Sequence, residues 1–310
     1  MNRFITLLEE YLAFRRACGY GLVRAEKLLR QYDQWLDMQP EPGGGELFTK
    51  EQALTWASLP GGSVTWQTFR LGVTRGFALW LDSQDVLVGV PSPKMLPRAG
   101  RRAIPYQYSN DDIAALMAVC HEVFTPFRAA TMATLIGFLT VTGCRIGEAI
   151  GLDINDIDLV DGQVLIRHGK NSKERFVFLK PSSCRAIAAY LATPTRPRPA
   201  SPALFLSLAG TRLLYCNVSE GFIRMIRACD LTHQPGAHPR LHDLRHRFAT
   251  DTIAAAYAPG AIESPARTLT LLSTWLGHVD PSNTYWYLEA SPQLLALAAA
   301  KLDQADQELS

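Results

Sequence analysis

The chain lacks the features that identify secreted, disulfide-stabilised or membrane-spanning proteins. Its six cysteines are far apart and form no Cys-x-x-Cys pair, so they predict reduced thiols in a cytoplasmic protein. No apolar run approaches the roughly 18 residues that a membrane-spanning helix needs. The first residues lead into an amphipathic pattern with Glu9 and Glu10, which is not typical of a signal peptide.

The chain also lacks a strong net charge and an internal repeat. Its formal net charge is +2, and 47% hydrophobic with 19% charged residues is ordinary for a globular protein. Overall charge therefore does not indicate a nucleic-acid partner, but its distribution is uneven. Four basic residues and no acid lie between Lys94 and Arg102. A length of 310 residues predicts two domains.

Helical spacing of apolar residues dominates the first part of the chain and predicts a four-helix domain over residues 1–90. Its basic side chains would either contact DNA phosphates or form a solvated face. Four prolines in the segment 91–105 predict an extended, semi-rigid linker. A second domain is predicted over 106–310, mainly helical with a small hairpin of short strands. The helices predicted in the first domain cover about residues 3–18, 22–38, 50–58 and 63–82.

The stretch from His242 to Tyr287 contains the residue types that phosphodiester chemistry without a metal requires. The guanidinium of Arg245 can hold phosphate oxygens through parallel hydrogen bonds. Imidazoles such as His242 and His278 can donate to the phosphate or move protons. The hydroxyl of Tyr287 can attack phosphorus and form a covalent intermediate.

A metal site is the alternative interpretation of the histidines in this region. His242 and His246 have the spacing of a zinc-binding pair on a helix. Position 243 is an aspartate rather than the glutamate of a His-Glu-x-x-His motif, and no third ligand is evident. The sequence therefore predicts no metal and no cofactor.

Together with upstream motifs, this stretch resembles the tyrosine recombinase (phage integrase) family. The family pattern includes an arginine in a Thr-Gly-x-Arg-x-x-Glu turn, a hairpin lysine, His-x-x-Arg, Leu-Gly-His, and a tyrosine nine residues after that histidine. Here Thr142–Glu148 matches the turn, Lys170 lies in the predicted hairpin, and the other motifs follow in order. The resemblance covers about residues 105–300 and implies a helical core-binding domain followed by a catalytic domain.

The resemblance implies a catalytic set and supporting residues. It assigns phosphate binding to two arginines and two histidines, nucleophilic attack to the tyrosine, and protonation of the leaving group to the lysine. Glu148 would either brace the first arginine or form an ordinary helix charge pair. Lys173 is the rival of Lys170, and Tyr285 is the rival nucleophile. The expected catalytic residues are Arg145, Lys170, His242, Arg245, His278 and Tyr287, with DNA contacts from Lys94, Arg98, Arg101, Arg102, Lys173 and Arg175.

The partners implied are double-stranded DNA with specific recombination sites and further copies of the chain. Four protomers would assemble on two duplexes, with the C-terminal segment of each packing on a neighbour. The expected location is the cytoplasm, at the nucleoid, and the expected process is integration or excision of a mobile element. The interval from Arg245 to His278 is longer than is common in the family, through about residues 257–268. Alternatives are relaxation of DNA by a type IB topoisomerase mechanism and an inactive DNA-binding accessory protein.

Overall fold

The computed structural model describes residues 2–97, 104–167, 174–231, 237–258, 261–278, 280, 284, 285, 287, 294–297 and 299. The chain divides into two compact units, Met1–Arg102 and Ala103–Ser310. Their secondary structure is mostly helical with a small antiparallel sheet, which confirms the predicted fold class. None of the helices in the described ranges is long and apolar enough to cross a bilayer.

Helix-capping side chains begin three of the helices of the first unit. Asn2 caps the first of them by accepting a hydrogen bond from the Phe4 amide. Thr49 accepts a hydrogen bond from the Gln52 amide, and the Gln52 side chain accepts one from the Thr49 amide. Ser63 accepts a bond from the amide of Trp66 at the start of the last helix. These bonds satisfy amides that have no partner within the helix. The helices are α1 (Arg3–Ala17), α2 (Val23–Leu36), α3 (Lys50–Ala57) and α4 (Val64–Asp82), with a 3₁₀ turn at Gly43–Gly45.

Aromatic side chains form the core of this unit. The ring of Tyr32 lies 5.0 Å from that of Trp56 and 5.2 Å from that of Phe48, measured between centroids. Phe4 contacts the same cluster and also Phe77 on α4, at 5.2 Å. Edge-to-face and tilted contacts of this kind add to the stabilisation from burial.

In its described residues the second unit has seven helices and a three-stranded sheet, and its main apolar core is separate from that of the first unit. The longest described helices of this unit are α6 and α10, which pack against each other and carry two of the predicted motifs. The helices are α5 (Asn110–Val123), α6 (Pro126–Thr142), α7 (Ile146–Gly151), α8 (Pro181–Leu191), α9 (Tyr215–Ala228), α10 (Leu241–Tyr257) and α11 (Pro265–Leu276).

The sheet is an antiparallel meander in the order β1-β2-β3. Its strands are β1 (Ile157–Asp158), β2 (Gln163–Ile166) and β3 (Arg175–Phe178). Val164 on β2 lies opposite Val177 on β3, and both are buried, so one face of the hairpin packs on the core. The predicted strand at Ile154 is instead part of a 3₁₀ turn that precedes β1.

Glycines with left-handed backbone conformation end the two helices that surround the predicted site. Gly143 ends α6 with φ +62°, and a Cβ there would lie 2.4 Å from Cδ1 of Phe248. Gly277 ends α11 with φ +66°, and a Cβ there would lie 3.1 Å from Nη1 of Arg175. Only glycine combines this conformation with such close packing. The glycines of the two motifs therefore let the chain turn sharply beside the site.

Ser109 caps the start of α5, and its hydroxyl accepts from the amide of Asp112 at 3.0 Å. Near the C-terminus, residues 294–297 and 299 are helical. Leu294 is buried with Tyr287 in a cluster formed by α10 and α11 of the same chain.

Candidate active site

Arg245 is the centre of the candidate site, and its guanidinium is tied to both glycine-ended helices. Only 2% of the residue is exposed. Nη1 donates to the carbonyl oxygen of Gly143 at 2.8 Å, and Nη2 donates to that of Leu276 at 2.7 Å. Burial lowers the pKa of Arg245, an effect that the nearby Tyr287 phenol opposes. A guanidinium stays charged even so, and here it is held in one orientation.

A second buried ionic group joins two arginines through one carboxylate. Glu148 receives a bond from Nη1 of Arg145 at 2.7 Å and one from Nη2 of Arg175 at 2.7 Å. Arg175 also donates through Nε to the carbonyl of Trp275 at 2.7 Å. Burial alone would raise the pKa of Glu148, but the two arginines outweigh it and lower the pKa below its usual value. The carboxylate is thus ionised and positions Arg145, which remains partly exposed.

Replacing Glu148 with glutamine should destabilise the second unit substantially. The amide would leave two guanidiniums without their counter-charge, at a cost of about 3 kcal/mol. For a domain of this size that corresponds to a fall in Tm of roughly 6–12 °C. Thermal unfolding of the variant measures it. The control is Glu263→Gln, which removes an exposed pair with Arg267 and should change stability by less than about 1 kcal/mol. Equal Tm values for the two variants would contradict the structural role of Glu148.

His278 contacts both Arg245 and the helical turn that carries Tyr287. Its Nε2 lies 3.0 Å from Nη2 of Arg245, and its Nδ1 lies 2.8 Å from Oγ1 of Thr284. The amide of His278 donates to the carbonyl of Ser273, which fixes the chain just after α11. Burial and the neighbouring arginines, chiefly Arg245, lower the pKa of His278 to about 4. The imidazole is therefore neutral at physiological pH.

The two rival tyrosines are in different environments. Tyr287 is 4% exposed, whereas Tyr285 is 53% exposed. The Tyr287 ring stacks on His278 at 6.1 Å between centroids and contacts His246 edge-on at 5.1 Å. Two positions on a helix separated by two residues point about 200° apart. The geometry therefore places Tyr287, and not Tyr285, beside Arg245 and His278.

His242 lies at the edge of an open cleft next to this group. The cleft has a volume of about 770 Å³, and Arg145 lines it together with His242 and Arg240. The His242 ring is 4.8 Å from that of His246, which is the ring that contacts Tyr287. Imidazoles and a partly exposed guanidinium thus connect the solvent-accessible cleft with the buried phenol.

Comparisons with known proteins identify the family of the chain. The model of the phage integrase family matches residues 108–293. The chain belongs to the phage integrase family. A candidate integrase/recombinase of Sinorhizobium fredii, y4rB, is 36% identical over 98% of both chains. The tyrosine recombinase XerC of Lactobacillus delbrueckii subsp. bulgaricus is 27% identical over 74% of this chain and 73% of its own. The family predicted from the motifs is confirmed.

Solved structures share the fold. The integrase of transposon Tn1549, in complex with transposon right end DNA, has a TM-score of 0.69 at 16% identity and covers 96% of this chain and 98% of its own. The XerH site-specific recombinase in a post-cleavage complex has a TM-score of 0.67 at 19% identity, covering 91% and 80%. The integrase fold therefore extends over nearly the whole chain.

Of the six predicted catalytic residues of this integrase, five lie in the described part. Arg245 and Tyr287 both contact His278, Arg145 is close enough to lower the pKa of Arg245 and of His278, and His242 borders the adjoining cleft together with Arg145. Lys94 is exposed on the first unit. Lys170, Lys173, Arg98, Arg101 and Arg102 lie outside the described residues, so their predicted roles remain predictions.

Arg175 requires a correction, because its side chain is not an exposed phosphate contact. Only 11% of the side chain is exposed, and its nitrogens bond Glu148 and the carbonyl of Trp275. These bonds attach β3 to α7 and α11. In the sequence Arg175 follows a run of charged residues, and nothing there indicates that Glu148 and Trp275 are its partners. Thr284 was also missed, although its position three residues before Tyr287 places both on one side of a helical turn.

A metal-binding cluster does not occur among the described residues of this integrase. His246 contacts the His242 and Tyr287 rings through its own ring, as a packed residue beside the site would. Asp243 accepts bonds from the Arg240 amide and guanidinium, which caps α10. His246 is thus a packed residue beside the site, and Asp243 is an acid at the N-terminus of the helix.

The low pKa of His278 predicts a pH-dependent stability. The pKa falls from about 6.5 to about 4, so between these values the unfolded chain binds a proton that the folded chain does not. Stability should therefore decrease as pH falls from 6.5 to 4. The groups that oppose protonation are Arg245, Arg145, Arg175 and His242.

Thermal unfolding of the wild type and of His278→Gln between pH 4 and 7 measures this effect. The glutamine variant should have a shallower slope than the wild type. Parallel curves for the wild type and His278→Gln would contradict a buried, neutral imidazole.

Proposed function

We propose that this integrase cuts and rejoins DNA at specific sites through a covalent link between Tyr287 and a 3′-phosphate. The observation that supports it most is the convergence of Arg245, His278 and Tyr287 from three separate segments, with Arg145 held nearby by a buried carboxylate. Burying so much charge beside a phenol is costly for a purely structural role, and it suits a site that binds a phosphodiester.

Phosphate binding is the task of the two guanidiniums and two imidazoles. Arg245 uses one hydrogen of Nη1 on the Gly143 carbonyl, and it uses both hydrogens of Nη2, one on the Leu276 carbonyl and one on Nε2 of His278. The second hydrogen of Nη1 binds the phosphate, and that of Nη2 joins it when His278 donates to the phosphate instead. Arg145 reaches the phosphate from the cleft, and His242 and His278 donate to its oxygens. Charge that develops on the phosphate oxygens in the transition state is stabilised by these preorganised donors.

The covalent step exchanges one phosphate ester for another. The Tyr287 oxygen attacks phosphorus, its proton passes to His242, and the bond from phosphorus to the 5′-oxygen breaks. Lys170 supplies the proton that the 5′-oxygen requires, in keeping with an ammonium as general acid. The phosphotyrosine retains the energy of the broken bond, so no ATP is required. The 5′-hydroxyl of another strand then reverses the step on a new partner.

The rest of the chain binds the DNA and joins the protomers that assemble on it. The first unit and the basic segment after it bind one side of the duplex, with Lys94, Arg98, Arg101 and Arg102 on phosphates. The second unit, with Lys173, binds the other side. Four protomers, joined through their C-terminal segments, hold two duplexes at the nucleoid in the cytoplasm. Integration or excision of a mobile element is the process this assembly serves.

The test uses nicked duplexes tiled across the DNA that flanks the gene. A nick just beyond the cleavage position lets the short fragment that carries the new 5′-hydroxyl diffuse away, so covalent protein–DNA adducts accumulate and are seen by denaturing electrophoresis. We expect an adduct with only those few duplexes that contain the specific site. Two copies of that site should also exchange strands. Adducts without strand exchange, together with relaxation of supercoiled plasmid, would indicate topoisomerase activity. Binding without any adduct would indicate an accessory protein.

A further inference from the structure

Thr284 makes a buried hydrogen bond to His278 on the ring side opposite Arg245. Its Oγ1 lies 2.8 Å from Nδ1, and the residue is 2% exposed. Thr284 lies three residues before Tyr287 on the same helical turn, and the Tyr287 ring stacks on the imidazole that Thr284 contacts. This helical turn therefore contacts His278 twice. The Thr284 hydroxyl bonds the edge of the imidazole ring, and the Tyr287 ring stacks on its face.

The partners of His278 determine which of its nitrogens holds the proton. A guanidinium can only donate hydrogen bonds, so Nε2 must accept from Nη2 of Arg245. In the neutral imidazole the proton is then on Nδ1, which donates to Oγ1 of Thr284. Arg245, Arg145, Arg175 and His242 all disfavour a second proton on the ring.

Binding of a phosphate changes the role of Nε2 of His278 from hydrogen-bond acceptor to donor. The oxygens of a phosphodiester only accept hydrogen bonds, so Nε2 must hold a proton to contact them. In a neutral ring Nδ1 then becomes an acceptor and needs a donor. A hydroxyl can both donate and accept by rotating about its C–O bond, so Thr284 satisfies Nδ1 in either state without movement of the imidazole.

We propose that Thr284 is a positioning residue whose hydroxyl allows His278 to change from acceptor of Arg245 to donor to the scissile phosphate. This inference rests on the proposed function, in which His278 contacts that phosphate. The imidazole keeps its place between Arg245 and Tyr287 while its proton changes nitrogen. Removal of the hydroxyl leaves Nδ1 without its donor in the phosphate-bound state and slows the covalent step.

The kinetic test compares Thr284→Val, which keeps the shape, with Thr284→Ser, which keeps the hydroxyl. We expect the valine variant to form the adduct about tenfold more slowly than wild type, and the serine variant within about twofold of it. The Kd for the same duplex should not change in either variant. The control is Thr131→Val, which removes a buried hydroxyl bonded to the Phe127 carbonyl within α6 and should not slow the adduct. A valine variant as fast as wild type, or a serine variant as slow as valine, would overturn the proposal.

A spectroscopic test needs neither substrate nor activity. The ¹⁵N shifts of the imidazole, assigned by comparison with His278→Gln, report which nitrogen is protonated in the free wild-type protein. We expect the proton on Nδ1, and a proton on Nε2 would overturn the proposal. This measurement also decides the question if the valine variant fails to fold. If neither the wild type nor any variant formed an adduct, the proposed function would be refuted, but the measured position of the proton on His278 would still hold.

Discussion

Arg245→Lys is expected to slow covalent DNA attachment by roughly 10²- to 10³-fold, the range found when one preorganised donor to a developing charge is removed. Lysine keeps the charge but cannot bond the carbonyls of Gly143 and Leu276 and the His278 ring at once, as the guanidinium does. The free energy of unfolding should also fall, by about 3 kcal/mol, because buried acceptors lose their donor. Adduct formation on the nicked duplex and thermal unfolding measure the two effects.

The matched control is Arg247→Lys on the same helix. Arg247 bonds the Ser109 carbonyl and the Asn110 side chain, away from the site. This variant should lose some thermal stability and retain the rate of adduct formation. If the two lysine variants slowed the covalent step equally, the effect at position 245 would be one of stability, and its role in phosphate binding would be refuted.

Tyr287→Phe is expected to abolish the adduct, whereas Tyr285→Phe is expected to keep it. The buried phenol of Tyr287 contacts His246 and His278, and that of Tyr285 is half exposed. Phenylalanine preserves the stacked ring at 287, so Tm and the Kd for the duplex should remain close to wild type. Electrophoresis of the denatured complexes gives the result. An adduct from Tyr287→Phe, with none from Tyr285→Phe, would reverse the assignment of the nucleophile.

Short-range patterns allowed the main features of the site to be predicted from the sequence. The Thr-Gly turn before Arg145 requires a glycine that ends a helix, and the structure has Gly143 in that conformation. The nine-residue interval from His278 selects the tyrosine that proves to be buried beside it. Helix spacing likewise predicted α1 to α4 and α6 closely, because apolar periodicity reports which side of a helix is buried.

Contacts between distant segments were not predictable. Arg175 is 27 residues from Glu148 and 100 from Trp275 along the chain, so its partners depend on how β3 packs. In the sequence Arg175 cannot be distinguished from the other basic residues of the charged segment before β3. The carbonyls that orient Arg245 were also not predictable, because every residue has a backbone carbonyl and the sequence does not show which one accepts a bond.

The position of Arg175 has a consequence for the predicted general acid. Lys170 precedes Arg175 by five residues, in the connection from β2 to β3. Arg175 ties the start of β3 to the carboxylate that holds Arg145. The hairpin therefore begins its second strand at a point fixed to the site, five residues after Lys170 in the sequence.

Peptide mapping of the trapped adduct tests the central claim most directly. After nuclease and trypsin digestion, the nucleotide should be attached to the peptide that follows Arg267, which contains both Tyr285 and Tyr287. Fragmentation between these two residues should assign the added mass to Tyr287. A nucleotide on Tyr285, or on a serine or threonine of any peptide, would contradict the account.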